Sequence, residues 1–183
     1  TFKVNHFSLY VVGTADTSKW TNPFSDVKES DWFYDGVRYA SANGMMQGTT
    51  ATSFSPDAKI TRGMLVTILW RMENQPAALK TTSFSDVAVG NWYAEAVAWA
   101  AENNIAAGYA GKFDPNVPLT REQLASILHR YATYKNYDLG AADSLTAYAD
   151  KPSTWAIPGV SWAVAEGLLK GSNGNLDPKA SAT

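Results

Sequence analysis

One pattern occurs three times along the chain, and such an internal repeat constrains the fold more than any other sequence feature. Each copy carries a Phe-Ser-Asp-Val-like element, a tryptophan, a glycine 16 residues after that tryptophan, and a Phe-x-Pro-like element whose proline precedes a threonine by five residues. The tryptophans are Trp32, Trp92 and Trp155, and the glycines are Gly48, Gly108 and Gly171. The chain therefore divides into an unrelated segment at 1–20 and repeats at 21–80, 81–140 and 141–183.

The third copy stops at Thr183, where the first two continue through Thr-Arg into an apolar helix. We therefore expect an incomplete third repeat that ends one residue before a predicted arginine. Residues 1–20 do not fit the pattern and are rich in strand formers such as Phe2, Val4 and Val11. We expect them to be a short β-like segment that ends a preceding domain or forms a linker.

The spacing of apolar residues within each repeat predicts two helices joined by a loop. Trp92, Ala96 and Trp99 lie at helical spacing, and matching positions in the other repeats predict first helices near 31–43, 91–103 and 154–166. The expected N-caps of these helices are Asp31, Asn91 and Thr154. The expected left-handed residues at their C-terminal ends are Gly44, Asn104 and Gly167. The predicted fold class is mainly α, with helix-loop-helix repeats.

Threonines open the second helices. Thr120 and Gln123 have the spacing of a capping box, whereas Thr61 has Met64 at the third position and lacks the reciprocal half. The apolar stripe that follows each threonine is typical of a helix face packed in a core.

Composition excludes several functions. The chain has 15 Lys+Arg and 17 Asp+Glu, so its net charge of −2 argues against nucleic-acid binding through a broad basic surface. It has no cysteine, and its two histidines, His6 and His129, are not a metal-spaced pair. No apolar run approaches the roughly 18 residues of a membrane helix. We find no nucleophile-elbow or phosphate-loop motif, and expect no catalytic residue, metal or cofactor.

Two arginines stand out as candidate binding residues. Arg62 and Arg121 follow the capping threonines, where a cation opposes the helix dipole and does not serve helix stability. A guanidinium there, beside free N–H groups, suits a carboxylate. The alternative is an ion pair with a structural carboxylate such as Asp26 or Asp86. On the binding interpretation, Arg121→Ala weakens binding with little loss of stability.

The other candidates each have two interpretations. The tryptophans Trp32, Trp92 and Trp155 can offer flat faces to sugar C–H groups or pack in the core. The aspartates accept sugar hydroxyls or order the turn before the helix, and the glycines admit a ligand or make a tight turn. These aspartates and glycines are Asp26, Asp86, Asp150, Gly48, Gly108 and Gly171. Arg71 and Arg130, farther down the second helices, are expected to be solvated or salt-bridged.

Phe24-Ser25-Asp26-Val27, Phe84-Ser85-Asp86-Val87, the spaced tryptophans, Phe-x-Pro and Leu/Ile-Thr-Arg together resemble the S-layer homology domain family over about residues 24–183. The resemblance implies a pseudo-threefold spindle around a central three-helix bundle, with ligand grooves between neighbouring repeats. It also implies anchoring of exported proteins to secondary cell-wall polysaccharide, often pyruvylated, in Gram-positive-type envelopes. The family expects an acid where Gln123 and Met64 stand, so the role of that acid is not carried over.

We therefore expect a non-catalytic, extracellular module at the bacterial cell wall or S-layer that binds secondary cell-wall polysaccharide or another peptidoglycan-associated glycan. At most two competent grooves are expected, lined by Arg62 and Arg121. The incomplete third repeat is expected to leave apolar surface uncovered and to promote self-association or instability. The alternatives are a self-assembly module without glycan binding and a fragment of a cell-wall carbohydrate-active enzyme.

Overall fold

The computed structural model describes residues 19–81 and 83–183, so the predicted β-like run near the N-terminus lies outside the described residues. Within these ranges the chain forms five α-helices, which we number in chain order. They are α1 (Tyr34–Ala42), α2 (Arg62–Met72), α3 (Ala94–Glu102), α4 (Arg121–Tyr134) and α5 (Ile157–Ala165), the last preceded by a 3-10 turn at Thr154–Ala156. The mainly helical class and the helix-loop-helix repeats follow the prediction, with one helix in the third repeat.

The first helices begin later than predicted, and the predicted N-caps are wrong. Phe33 and Tyr93 hold the N-cap positions of α1 and α3 without a side-chain hydrogen bond, and Thr154 lies inside the 3-10 turn. Asp31 instead accepts the backbone N–H of Lys28 at 2.7 Å. The apolar spacing runs through a turn that contains the tryptophan, so helical periodicity overstates the length of the helix.

The remaining helix boundaries follow the predicted local chemistry. Gly44, Asn104 and Gly167 have φ of 67°, 57° and 71°, the left-handed conformation expected after a helix. Thr120 and Gln123 form the complete capping box, with the Gln123 side chain accepting the Thr120 N–H at 3.0 Å. Thr61 accepts the N–H of Met64 at 3.3 Å without the reciprocal bond.

Each second helix packs against the first helix of the next repeat, α2 against α3 and α4 against α5. Val66 of α2 and Val97 of α3 are fully buried in the core between them. The α4–α5 contact is so close that a Cβ on Gly159 would lie 2.8 Å from the Cα of Ser126. The second and third repeats therefore share their hydrophobic cores with the helix of the preceding repeat, whereas Phe24, Val27 and Val37 form a smaller cluster within the first repeat.

A closed ring of three hydrogen bonds joins the repeats. The N–H of Ile60 donates to the carbonyl of Ala182 at 3.0 Å, Ala182 donates to Leu119 at 2.9 Å, and Leu119 donates back to Ile60 at 2.9 Å. These residues directly precede Thr61, Thr120 and Thr183, so the ring links equivalent positions of all three repeats.

Candidate functional site

A groove of about 370 Å³ lies between the loop after α1, one face of α2 and the tryptophan of the second repeat. We call it groove 1. It combines apolar methionine and phenylalanine side chains with a few polar groups, the usual make-up of a small-ligand site. Its lining residues are Met45, Met46, Gln47, Gly48, Thr49, Phe54, Met64, Thr67, Ile68, Arg71 and Trp92.

The cation of groove 1 is Arg71, for which the sequence predicted a solvated or salt-bridged position. Its Nη1 donates to the carbonyl of Met45 at 3.1 Å, which fixes the guanidinium against the loop after α1. Its equivalent in the second repeat, Arg130, is exposed. Within residues 19–81 and 83–183 neither arginine forms a salt bridge. The sequence signal that could have identified both arginines is their occurrence at equivalent positions of two repeats.

Arg62 clamps the loop of the next repeat. Its Nε donates to the carbonyl of Phe113 at 2.8 Å and its Nη2 to the carbonyl of Ala107 at 2.9 Å. The guanidinium carbon also lies 4.7 Å from the centre of the Phe113 ring. The predicted ion pair with Asp26 or Asp86 is wrong, because the side chain binds backbone carbonyls.

Arg121 repeats this geometry one repeat later. Its Nε donates to Leu176 at 2.9 Å and its Nη2 to Lys170 at 2.6 Å, again at backbone carbonyls. These bonds use two of the five N–H donors of each guanidinium, and the other three have no partner within the described ranges. The two arginines therefore hold successive repeats together while keeping donors for a ligand.

The field around Arg62 contains a second cation. Burial lowers the pKa of Arg62, and the positive charge of Arg130 lowers it further, while Asp114 and Asp86 act in the opposite direction. The charges of Asp114, Arg130 and Asp86 therefore all act on the Arg62 guanidinium, in that order of size.

The repeated aspartates hold the Phe-x-Pro loop of their own repeat. Asp86 accepts the N–H groups of Phe113 and Asp114 at 2.8 and 2.7 Å. Asp150 binds the N–H groups of Leu176 and Asp177 in the same way, at 2.7 Å each. These carboxylates order a loop that lies 26 to 28 residues farther along the chain, whereas the structural role predicted for them was to order their own turn.

Asp26 makes the same contacts in the first repeat. It accepts the N–H groups of Phe54 and Ser55, both at 2.8 Å, and the hydroxyl of Ser53 at 2.7 Å. These bonds, led by that from Phe54, lower the pKa of Asp26 from 3.8 to about 2. The carboxylate is therefore ionised and engaged with the protein over the ordinary pH range.

The three repeat tryptophans lie on the surface. Trp32 is 93 % exposed, Trp92 58 % and Trp155 56 %, so the core-packing interpretation of these residues is wrong. Trp99, seven residues after Trp92, is buried at 2 %, which shows that the two do not share one helix face. Trp92 stands edge-on to Tyr93, with the ring centres 5.0 Å apart. The exposed indole faces remain open for a ligand.

The repeated glycines are required by close approach of the backbone. A Cβ on Gly48 would lie 2.5 Å from the carbonyl oxygen of Ser53, and one on Gly108 would lie 2.4 Å from that of Lys112. Gly171 has the same restriction. The tight-turn interpretation accounts for all three, and Gly48 in addition lines groove 1.

Of the eleven residues predicted from sequence, groove 1 brings Gly48 and Trp92 together. Arg62 lies with Asp86 around the loop of the second repeat, and Arg121 with Asp150 around that of the third. Among the described residues there is no cluster of histidine, aspartate or glutamate that could hold a metal. In the same part of the chain no helix is long and apolar enough to cross a bilayer.

Tandem helix-loop-helix units, clamped to one another by arginine and each carrying an exposed tryptophan, define a repeat module. The sequence model of the S-layer homology domain matches residues 23–63, 83–125 and 147–183. The chain belongs to the S-layer homology domain family, as its motifs predicted. The third match is shorter than the other two and ends at Thr183, the last residue of the sequence.

Enzymes and an anchoring protein are among the relatives that share this region. An amylopullulanase of Thermoanaerobacterium thermosulfurigenes is 30% identical over 190 residues, which cover 100% of this chain and 10% of the relative. An endoglucanase of a Bacillus species is 32% identical, covering 96% of this chain and 19% of the relative. A cellulosome-anchoring protein of Acetivibrio thermocellus is 26% identical, covering 69% and 29%. The chain thus spans about a tenth to a third of these proteins.

Family membership locates the module at the bacterial cell surface or wall, as predicted. The enzymes among its relatives match it over a small part of their own length.

Proposed function

We propose that the chain is a non-catalytic anchoring module that tethers an exported protein to secondary cell-wall polysaccharide. The carrying observation is groove 1, which places an exposed tryptophan, a fixed arginine and a close-packed glycine loop on one surface. Two further observations support it. One relative is named as a cellulosome-anchoring protein, and enzymes with different names carry the same region over a minor part of their length.

The chemistry of the groove suits an acidic sugar. The exposed face of Trp92 offers apolar contact to the C–H groups of a sugar ring. Arg71 offers donors to a carboxylate, the group that a pyruvyl ketal adds to a polysaccharide. The loop between Met45 and Thr49 supplies the opposite wall, where Gly48 lets the backbone come close.

We propose that the equivalent groove of the second repeat, groove 2, is the stronger anion site. By equivalence with groove 1, we assign to groove 2 the loop at 105–109, the position of Arg130 on α4, and Trp155. Arg62 donates to the carbonyl of Ala107 and so places a second guanidinium beside this loop. Neither arginine forms a salt bridge among the described residues, so both charges favour a bound carboxylate, although the charges of Asp114 and Asp86 act against them at Arg62. The expectation of at most two competent grooves, lined by Arg62 and Arg121, stays a prediction.

A pull-down on purified cell walls tests this proposal. We expect the chain to bind intact walls and to lose binding when the polysaccharide is extracted. Arg130→Gln should weaken binding about tenfold or more, the value of one charge-assisted hydrogen bond. Arg38→Gln is the matched control, since Arg38 lies on α1 in an exposed pair with Asp35 at 3.1 Å. Equal binding to stripped peptidoglycan, or equal loss in both variants, contradicts the proposal.

We further propose that the repeats form a pseudo-threefold spindle around a central helix bundle. The cyclic hydrogen bonds of Ile60, Leu119 and Ala182 support this arrangement, because each repeat donates to one neighbour and accepts from the other. Because the chain lacks cysteine, spin labels can be introduced in pairs at three equivalent exposed positions. These positions are Asp35, Glu95 and Pro158. Three equal distances are expected, and one distance twice the other two indicates a linear array.

A further inference from the structure

Two Asp-Pro peptide bonds occur in the chain, from Asp114 to Pro115 and from Asp177 to Pro178, at the same position of the second and third repeats. Asp114 and Asp177 have φ of 57° and 50°, in the left-handed region that is disfavoured for residues with a Cβ. The first repeat has Ser55 at this position, with φ of 61° and a proline after it. The three loops thus share one strained backbone conformation, and two of them carry a carboxyl group on it.

The carbonyl of each of these aspartates accepts a hydrogen bond from the backbone. The N–H of Val117 donates to the carbonyl of Asp114 at 3.2 Å. In the third repeat the N–H of Ala180 donates to the carbonyl of Asp177 at 3.0 Å. Both donors are fixed, because the carbonyls of the same two residues accept the first N–H groups of α2 and α4. Such a hydrogen bond stabilises the negative charge that a carbonyl oxygen gains when a nucleophile attacks its carbon.

The nucleophile for such an attack is the carboxyl group of the aspartate itself. Asp114 and Asp177 are exposed, and within residues 19–81 and 83–183 their side chains form no salt bridge and accept no hydrogen bond. The charged groups that hold the loop at Asp114 are Asp86, which accepts its N–H, and Arg62, which binds the preceding carbonyl. The carboxyl group is therefore available to attack the carbonyl carbon of its own residue, which closes a five-membered ring.

We propose that these two bonds are self-cleavage sites whose hydrolysis is accelerated by the folded loop. The carboxyl oxygen attacks the carbonyl carbon, the bond from that carbon to the proline nitrogen breaks, and the nitrogen takes the carboxyl proton and leaves as a secondary amine. Water then opens the cyclic anhydride and leaves a C-terminal aspartate. Each cleavage consumes one water molecule, oxidises and reduces nothing, and happens once per site. The inference is independent of glycan binding.

Both ends made by a break after Asp114 are bound to α2. The Arg62 side chain binds the carbonyl of Phe113, which precedes the break. The N–H of Gly63 binds the carbonyl of Pro115, which follows it. The cleaved chain should therefore stay assembled in native buffer, and its fragments should separate only when the protein is unfolded.

Incubation at pH 4 tests the two sites. Acid provides the carboxyl proton, while Asp26, whose pKa is lowered to about 2, stays ionised and holds the loop of its own repeat. Fragments that begin with Pro115 and Pro178 are counted by mass spectrometry in the folded chain and in the chain unfolded by urea at the same pH. We expect the folded chain to be cleaved about tenfold faster, the rate equivalent of the strain at one left-handed residue.

Two substitutions give matched controls. Asp114→Glu keeps the charge but has to close a less favourable six-membered ring, so it should abolish cleavage before Pro115 and leave cleavage before Pro178 unchanged. Ser55→Asp should create a third site, whereas the bond after Ser55 in the wild type should stay intact. Equal rates in the folded and unfolded chains, or cleavage of Asp114→Glu at the wild-type rate, would overturn the proposal.

Discussion

Arg121→Ala should destabilise the chain, contrary to the expectation from sequence. The side chain donates to the carbonyls of Leu176 and Lys170 across the boundary between the second and third repeats. A hydrogen bond from a charged group contributes about 1.5–3 kcal/mol, and removing its donor leaves the carbonyl of the buried Leu176 without a partner. Because the outer part of the guanidinium meets solvent, we take the lower end for each bond, a total of about 3 kcal/mol.

The assay is urea unfolding followed by tryptophan fluorescence, with thermal unfolding as a second measure. For a chain of this length, about 3 kcal/mol corresponds to a fall in Tm of roughly 6–12 °C. Arg130→Ala is the matched control, since Arg130 is exposed on the same helix and should change stability by less than about 0.5 kcal/mol. An Arg121→Ala variant as stable as that control would refute the clamp as a stabilising contact.

Three further outcomes follow from the same contacts. Glu122 is 3 % exposed and accepts hydrogen bonds from Lys179 and Ser153. Glu122→Ala should therefore lower the free energy of unfolding in urea by about 3 kcal/mol, whereas Glu95→Ala, at an exposed position, should leave it almost unchanged. The pKa of Asp26 is lowered to about 2, so its contribution to the free energy of unfolding is complete above about pH 4 and is lost as the pH falls through 2. The difference in stability between the wild type and Asp26→Asn should therefore close between pH 4 and pH 2. Trp99→Ala should cost about 3–5 kcal/mol and Trp32→Ala less than about 0.5, and equal losses in unfolding experiments would contradict the assignment of buried and exposed tryptophans.

Local chemistry predicted much of the fold. The repeat is visible as a recurrence of motifs, and the capping box at Thr120 and the left-handed residue Asn104 depend on neighbours within a few residues. The same reasoning failed at the start of the first helices, where apolar spacing continued through the turn that carries each tryptophan. A turn and a helix can present the same spacing for a few residues, so the exposed position of Trp92 could not be separated from the buried position of Trp99.

The partners of the arginines could not be predicted because they are main-chain carbonyls. Arg62 binds Phe113 and Ala107, 51 and 45 residues away, and a backbone acceptor leaves no side-chain signature. The only available signal was the recurrence of arginine at matched positions. Arg71 and Arg130 also recur at matched positions, but the sequence favoured the arginines that directly follow the capping threonines as binding residues.

Each kind of residue that recurs in the repeats has one physical role. Aspartates fix the loop of their own repeat, arginines at helix starts fix the loop of the next repeat, and tryptophans stay exposed beside the grooves. These contacts order the loops in the free chain, which lowers the entropy cost of the glycan binding that we propose.

The central claim is that an acidic cell-wall sugar binds between neighbouring repeats. A crystal structure of the chain with a pyruvylated wall disaccharide tests it most directly. We predict that the carboxylate lies between Arg62 and Arg130 in groove 2, with the sugar ring on the exposed face of Trp155. A disaccharide bound away from both arginines, or no bound sugar at a concentration that saturates intact walls, would contradict the account.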